Sequence, residues 1–212
     1  NRALVITDCV EVLMHMVVPF AEWDDAEHGV IFRIKDASFA NALKRKECGT
    51  PLEAAEVWPH LDGFFRTEMT RQYPIMGALA AMAAIGAEAD IVVLTNVGPE
   101  HQQARIDQLA LHDFHAPVIG SRGGKGEPVR RLIEQYQPSV TVFIDDLAGH
   151  HQSGAHEAPD VWRLHLVGEP AIADKIAPAK YAHARIDDWK EAQRWILARL
   201  AENIPAPAPE PV

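Results

Sequence analysis

Six polar residues come directly or closely after short apolar runs of the sequence. They are Asp8, Thr95, Asn96, Lys125, Asp145 and Asp146. Neighbouring carboxylates in a site of low dielectric repel each other, so the pair at 145 and 146 is costly unless a cation neutralises it. Taken alone, this pair also suits the N-cap of a helix that follows a strand. With Asp8 and Lys125 in the same set, the residue types favour a site that binds a metal ion.

The apolar runs read as buried strands. Segments rich in β-branched residues, such as 90–96 and 139–145, alternate with helical segments such as 126–136. Continuous apolar strands that alternate with helices predict a parallel sheet covered on both faces. Starting from residues 3–7, we predict an α/β protein with a Rossmann-like parallel sheet of about five strands, with 182–186 as a candidate last strand. Because ligands bind at the carboxyl ends of such strands, the six polar residues are expected to meet in one crevice.

The region 22–74 does not follow this alternation. Its segments 36–47 and 50–73 are predicted to be mostly helical. Thr50 and Glu53 have the spacing of a capping box before an apolar run. We therefore predict a mainly helical insertion, which would lie over the strand ends as a lid.

The predicted organisation is a core with one insertion. Residues 1–21 and 75–203 would form the α/β core, and residues 22–74 the helical cap. Residues 204–212 are rich in proline and are predicted to be a tail, because proline disfavours both helices and central strands.

Composition excludes several classes of protein. The 212 residues carry a formal net charge of -10, which argues against binding to nucleic acid or to an anionic membrane surface. No apolar run has the length of about 18 residues that predicts a membrane span. The two cysteines, Cys9 and Cys48, indicate neither a zinc site nor a disulfide scaffold. We expect a cytoplasmic protein, monomeric or homodimeric, and the acidic composition does not exclude a small phosphorylated or otherwise anionic substrate, which needs only local positive charge.

The order of the four motifs resembles that of the haloacid dehalogenase superfamily over nearly the whole chain. The first motif is an apolar strand ending in Asp8, and the second, "VVLTN", ends in Thr95 and Asn96. The third is Lys125 in "GGKGEP" before a helix. The fourth, "VFIDD", ends in the acidic pair at 145 and 146. The resemblance implies an α/β core with a cap.

The resemblance also implies a role for each residue. Asp8 would be the nucleophile that forms an aspartyl-phosphate. Thr95 and the backbone N–H of Asn96 would hold the phosphoryl oxygens, and Lys125 would neutralise charge between nucleophile and phosphate. Mg²⁺, which prefers oxygen ligands, would be bound by three carboxylates. These are Asp8, Asp145 and Asp146.

One position departs from the pattern of the phosphatases in this superfamily. They carry a second aspartate two residues after the first, where it protonates the leaving group, and this chain has Val10 there. A general acid is typically worth about 10²–10⁴ in rate. Three interpretations remain open. The leaving group needs little protonation; another acid, such as Glu11, a lid residue or one of the histidines after Asp146, replaces the aspartate; or the site binds a ligand without turnover.

Two other chemistries of the superfamily fit less well. Its dehalogenases work without a metal, so the acidic pair would have no purpose there. A phosphonatase would need a lysine in the cap, for which Lys35, Lys44 and Lys46 are candidates. We therefore predict a Mg²⁺-dependent hydrolase of a small phosphorylated metabolite, acting through Asp8. The alternative is a weak or inactive relative that binds a ligand or a protein partner.

Overall fold

The structure is a computed structural model, which describes residues 1–33 and 42–207. Its elements, in chain order, are β1 (Ala3–Thr7), β2 (Met14–His15), α1 (Val17–His28), β3 (Val30–Phe32), β4 (Leu43–Arg45), α2 (Ala54–Thr67), β5 (Tyr73–Pro74), α3 (Ala78–Glu88), β6 (Ala89–Thr95), α4 (Gln102–Ala110), β7 (Val118–Gly120), α5 (Gly126–Tyr136), β8 (Thr141–Asp145), α6 (Ala148–Glu157), β9 (Trp162–His165), α7 (Pro170–Ala173), β10 (Ala184–Arg185) and α8 (Trp189–Glu202). Short 3-10 turns span Met69–Arg71 and Pro99–His101. No helix in the described part of the chain is long and apolar enough to cross a membrane.

The central sheet has six strands in the order β10-β9-β8-β1-β6-β7, and its paired strands are parallel. This confirms the predicted α/β fold. The sheet has one strand more than the predicted core, because residues 184–185 do pair with β9 as its last strand. The first strand lies in the middle of the sheet, between β8 and β6.

Both faces of the sheet are buried under helices, which explains the continuous apolar runs. Successive residues of β1 point to opposite faces. Val5 packs in a cluster with Ile85 of α3 and Ile196 of α8. Leu4 belongs to a second cluster, with Val129 of α5.

The predicted insertion contains strands as well as helices. Residues 43–45, predicted to be helical, instead form β4, which pairs antiparallel with β3; residues 36–41 of the same segment lie outside the described part. The predicted capping box of Thr50 and Glu53 is wrong by about one helical turn, because the observed one joins Glu53 and Glu56. The backbone N–H of Glu53 donates to the side chain of Glu56 at 2.8 Å, and α2 begins after Glu53. We call α1, the β3–β4 pair and α2 the insertion unit.

The insertion unit packs on the carboxyl end of the sheet. Its buried aromatic residues Phe20 and Phe64 share a hydrophobic cluster with Val97 and Val167. These two valines lie in the loops that leave β6 and β9 at their carboxyl ends. The short strands β2 and β5 pair antiparallel. They come directly before α1 and shortly after α2, at the two points where the chain enters and leaves the unit. The helix α1 begins at Val17, five positions before the predicted start of the cap at residue 22.

The first residues of the proline-rich tail contact the core. The indole N–H of Trp162 donates to the carbonyl of Ile204 at 2.9 Å, and the N–H of Ala206 donates to the carbonyl of Asp160 at 2.9 Å. Residues 208–212 lie outside the described part. The tail is therefore bound to the protein at its start.

Candidate functional site

Three strands bring the predicted residues together. Because β8, β1 and β6 are neighbours in the sheet, their carboxyl ends lie at one edge. Asp8 follows β1, Thr95 ends β6 and Asp145 ends β8. The sheet topology thus assembles residues that are more than 130 positions apart in the sequence.

Lys125 joins the two carboxylates at the centre of this edge. Its Nζ lies 3.0 Å from Oδ1 of Asp8 and 2.6 Å from Oδ2 of Asp145, and all three side chains are buried. Gly126 allows Lys125 to take this position, because a Cβ atom at residue 126 would lie 2.2 Å from the carbonyl oxygen of Ser153. Only glycine lets the start of α5 approach α6 so closely.

The charges of this group are unbalanced. Burial raises the pKa of Asp8, although Lys125 opposes it. Burial also acts to raise the pKa of Asp145, but Lys125 and His150 outweigh it and hold that pKa below its usual range. Lys125 also opposes the shift of Asp146, but burial, followed by the charges of Asp145 and Asp8, raises its pKa well above the ordinary value.

The three carboxylates fit a divalent cation. Ligand oxygens of Asp8, Asp145 and Asp146 all lie within 4.8 Å of one another. One lysine cannot neutralise three buried carboxylates, so a hard cation with oxygen ligands would remove the remaining repulsion. The charge excess, together with this spacing, makes the edge a candidate Mg²⁺ site.

Thr95 and Asn96 lie beside this group. Oγ1 of Thr95 is buried and has no hydrogen-bond partner within residues 1–33 and 42–207. Two loop residues contact the Asn96 side chain: its Nδ2 donates to the carbonyl of Gly123 at 2.8 Å, and its Oδ1 accepts from Oγ of Ser121 at 2.6 Å. A phosphoryl oxygen would give the Thr95 hydroxyl the partner that a buried polar group requires.

The histidines after the acidic pair do not form one cluster. Nδ1 of His150 lies 2.9 Å from Oδ1 of Asp145, and its Nε2 lies 3.2 Å from the Asn96 side chain. His151 is buried and contacts the carbonyl of Asp145, and burial lowers its pKa to about 4. His156 is exposed beside Glu157. Only His150 therefore joins the site.

Glu11 occupies an unexpected position. On an extended segment it would point away from Asp8, but the chain turns after β1, and the N–H groups of Leu13 and Met14 both donate to the carbonyl of Cys9. Glu11 itself has a φ of 57°, in the left-handed region. The expectation from alternation therefore does not apply, because the segment is not a strand.

The Glu11 carboxylate is buried at the start of α1. Its Oε1 accepts hydrogen bonds from the N–H groups of Met16 at 2.8 Å and Val17 at 2.5 Å. Its Oε2 is buried without a partner in the described part of the chain. Burial raises the pKa of Glu11 to about 7, although these N–H groups oppose the shift.

This pKa gives a testable pH dependence. Glu11 is protonated more readily in the folded than in the unfolded protein. Its contribution to the free energy of unfolding is therefore fully present below pH 4.5 and is lost as the pH rises towards 7. The full shift corresponds to about 3 kcal/mol. We expect the free energy of unfolding of the native protein, relative to Glu11→Gln, to fall by up to this amount over that range. Urea unfolding at several pH values measures it, and a pH-independent difference would contradict the assignment.

A cavity of about 900 Å³ connects the site to the insertion unit. Its polar lining includes Asp8, Glu11, Asn96, Asp146 and His150. Its apolar lining is Val10, Met16, Val17, Trp58, Pro59, Leu61, Phe65, Val97, Leu147, Ile172 and Ile176. The site is therefore accessible, and most of the cavity wall is apolar.

Two of the three lysines considered for a phosphonatase, Lys44 and Lys46, do not line this cavity. Lys44 lies in β4, and Lys46 pairs with Asp25 at 2.7 Å and lines a different cavity. Lys35 lies outside the described residues. A Schiff-base lysine is thus missing from the described cavity wall.

Known proteins with this fold are found by comparison of structures. No protein-family profile matches the sequence, and no curated protein does. A haloacid dehalogenase-like family hydrolase from Streptococcus pneumoniae is similar, with a TM-score of 0.65, 13% identity, and coverage of 92% of this chain and 98% of that one. A protein named as a predicted phosphatase from Clostridium acetobutylicum has a TM-score of 0.63 and 13% identity, with coverage of 93% and 99%. A defluorinating L-2-haloacid dehalogenase has a TM-score of 0.60 and 10% identity, with coverage of 93% and 96%.

The chain therefore has the haloacid dehalogenase-like fold over nearly its full length. The resemblance predicted from the four motifs is confirmed at this level. Because proteins named as phosphatases and as a dehalogenase share the fold, the chemistry must be argued from the residues of the site.

Proposed function

We propose that the protein is a Mg²⁺-dependent hydrolase that forms an aspartyl-phosphate on Asp8. The observation that supports this most is the buried Lys125 between Asp8 and Asp145, next to an accessible cavity that Asp8 lines. A buried charge network at a cavity is costly for stability, and such networks are typical of active sites.

Each side chain then has a defined task. Asp8 attacks phosphorus, and the bond to the leaving oxygen breaks with its electron pair. Lys125 fixes the attacking carboxylate and neutralises charge, while Thr95 and Asn96 bind the phosphoryl oxygens. Mg²⁺ held by the three carboxylates would supply further charge neutralisation.

Val10 restricts the substrate. Without an aspartate at this position, we expect the leaving oxygen to depart as an anion, which suits acyl phosphates better than alkyl phosphates. For the water that releases phosphate from Asp8, two of the titratable side chains that line the cavity are candidates for the base, His150 and Glu11. The apolar wall further favours a substrate with an apolar body. We propose that the insertion unit acts as the cap that binds this body.

The test compares leaving groups. Acetyl phosphate, benzoyl phosphate and glycerol phosphate are incubated with the protein, with Mg²⁺ and with EDTA. We expect Mg²⁺-dependent release of phosphate in the order benzoyl, acetyl, glycerol, the last at background. Equal rates for all three would contradict the role given to Val10.

The alternative function is ligand binding without turnover, which the same Val10 favours. In that case all three compounds are inert. Phosphate or an aryl phosphate would still bind, with an affinity that depends on Lys125.

A further inference from the structure

A second cluster of metal-binding side chains lies in the insertion unit, outside the site described above. Asp24 and His28 lie four positions apart on α1, so they share one face of the helix. His60 projects from α2. One ligand atom from each of the three lies within 4.8 Å of the other two. We call these three residues the cap triad.

The carboxylate of Asp24 is incompletely satisfied. The side chain is fully buried, and its Oδ1 lies 2.5 Å from Nδ1 of His60. Its Oδ2 is buried without a hydrogen-bond partner in the described part of the chain. Burying a carboxylate oxygen without a partner costs free energy, so a cation or donor that contacts this atom would stabilise the protein. Burial correspondingly raises the pKa of Asp24.

The two imidazoles face open space. His28 and His60 line a separate cavity of about 540 Å³, together with Arg45, Lys46 and Glu56. Their rings are 4.9 Å apart at an interplanar angle of 68°. Solvent and ions therefore reach the histidines, while Asp24 forms the buried side of the cluster.

We propose that the cap triad binds a divalent transition-metal ion of the zinc class. Two imidazole nitrogens and one carboxylate oxygen are a donor set that suits Zn²⁺ and its neighbours in the first row. Ligand bonds of about 2.0–2.2 Å in a tetrahedron place ligand atoms roughly 3.4 Å apart. The contact between Asp24 and His60 lengthens by about 1 Å to reach this, as the metal replaces the shared proton. Water from the cavity takes the remaining position.

This site differs in chemistry from the carboxylates around Asp8. Mg²⁺ prefers oxygen ligands and is expected at the core site, whereas nitrogen ligands select the transition metal. The ion in the cap triad joins α1 to α2. Its binding therefore stabilises the insertion unit and is independent of hydrolysis.

The experiment is a titration of the full chain with Co²⁺ and with Zn²⁺ in excess Mg²⁺, which would compete for the core carboxylates. The visible absorption of Co²⁺ reports nitrogen ligation, and competition with a chromophoric chelator gives the Kd of Zn²⁺. His28→Gln and His60→Gln are compared with His156→Gln. His156 is a matched control, because it is an exposed helical histidine beside a single carboxylate.

We expect one equivalent of Zn²⁺ to bind and to raise the unfolding midpoint of the native chain and of His156→Gln. In the two triad variants the Kd should rise by more than the roughly 10–100-fold that an outer-shell partner is worth. The exposed position of His28 keeps His28→Gln folded, so a loss of binding there is not caused by unfolding. The proposal is overturned if the native chain binds no Co²⁺ or Zn²⁺ in excess Mg²⁺, or if both triad variants retain the native Kd.

Discussion

Replacing Asp8 with asparagine is expected to lower Mg²⁺-dependent hydrolysis of acetyl phosphate by at least about 10⁴-fold. The amide cannot form the covalent intermediate, because its nitrogen and carbonyl oxygen are poor nucleophiles. The measurement is phosphate release at saturating Mg²⁺, with the unfolding midpoint of the same protein measured in EDTA. A variant that retained a substantial part of the native rate would exclude Asp8 as the nucleophile.

The fold should survive this replacement. The N–H of Cys9 donates to Oδ1 of Asp8 at 2.7 Å, and Lys125 contacts the same atom at 3.0 Å. An asparagine Oδ1 can accept from both donors. Because burial already disfavours the charged form of Asp8, the neutral amide should leave the unfolding midpoint unchanged or raise it. Loss of activity with an intact fold separates a catalytic role from a structural one.

Val10→Asp is expected to increase hydrolysis of an aryl phosphate by about 10²–10⁴-fold. Val10 lines the cavity that contains Asp8 and Asp146, and it is only partly buried, so a carboxylate there can remain hydrated. The new acid would protonate an oxygen that otherwise leaves as an anion. The gain should be much smaller on acetyl phosphate, whose leaving carboxylate needs no proton.

Val10→Asn is the matched control, because it has nearly the same shape and polarity but no proton to donate. The ratio of kcat/KM between the two variants, measured on both substrates, isolates the acid. If the two variants are equally active, or if the gain is the same on both substrates, the argument about the missing acid fails.

The core of the protein was predictable because its signals are local. Strand β8 is a run of β-branched and aromatic residues that ends in Asp145, and α5 was predicted with its observed ends. Parallel topology then places Asp8, Lys125 and Asp145 together, since the carboxyl ends of neighbouring strands meet. The structure brings these residues into contact, and their catalytic roles stay predictions.

The insertion unit was less predictable, because its structure depends on contacts between distant residues. The local sequence of Leu43–Arg45 does not exclude a helix. These residues form a strand because they pair with β3. The turn after β1 has a left-handed φ at Glu11. Glycine usually occupies such a position, and this sequence has no glycine there to indicate the turn. The spacing of Asp24 and His28 was visible in the sequence, but the approach of His60 depends on the packing of α1 against α2.

The hydrophobic cluster between the insertion unit and the core also constrains how ligands exchange. Phe65 of α2 packs in the same cluster as Val97 and Ile172, and all three also line the large cavity. A hinge movement of the insertion unit away from the core would expose this cluster, at a cost of about 25 cal/mol per Å² of apolar surface. Trp58 lines the cavity and its ring is exposed, so passage of a ligand beside this ring would leave the cluster buried. Under the proposed function we therefore predict that product release depends on the opening beside Trp58 rather than on a large domain movement, and that bulky side chains there slow turnover without touching the chemistry.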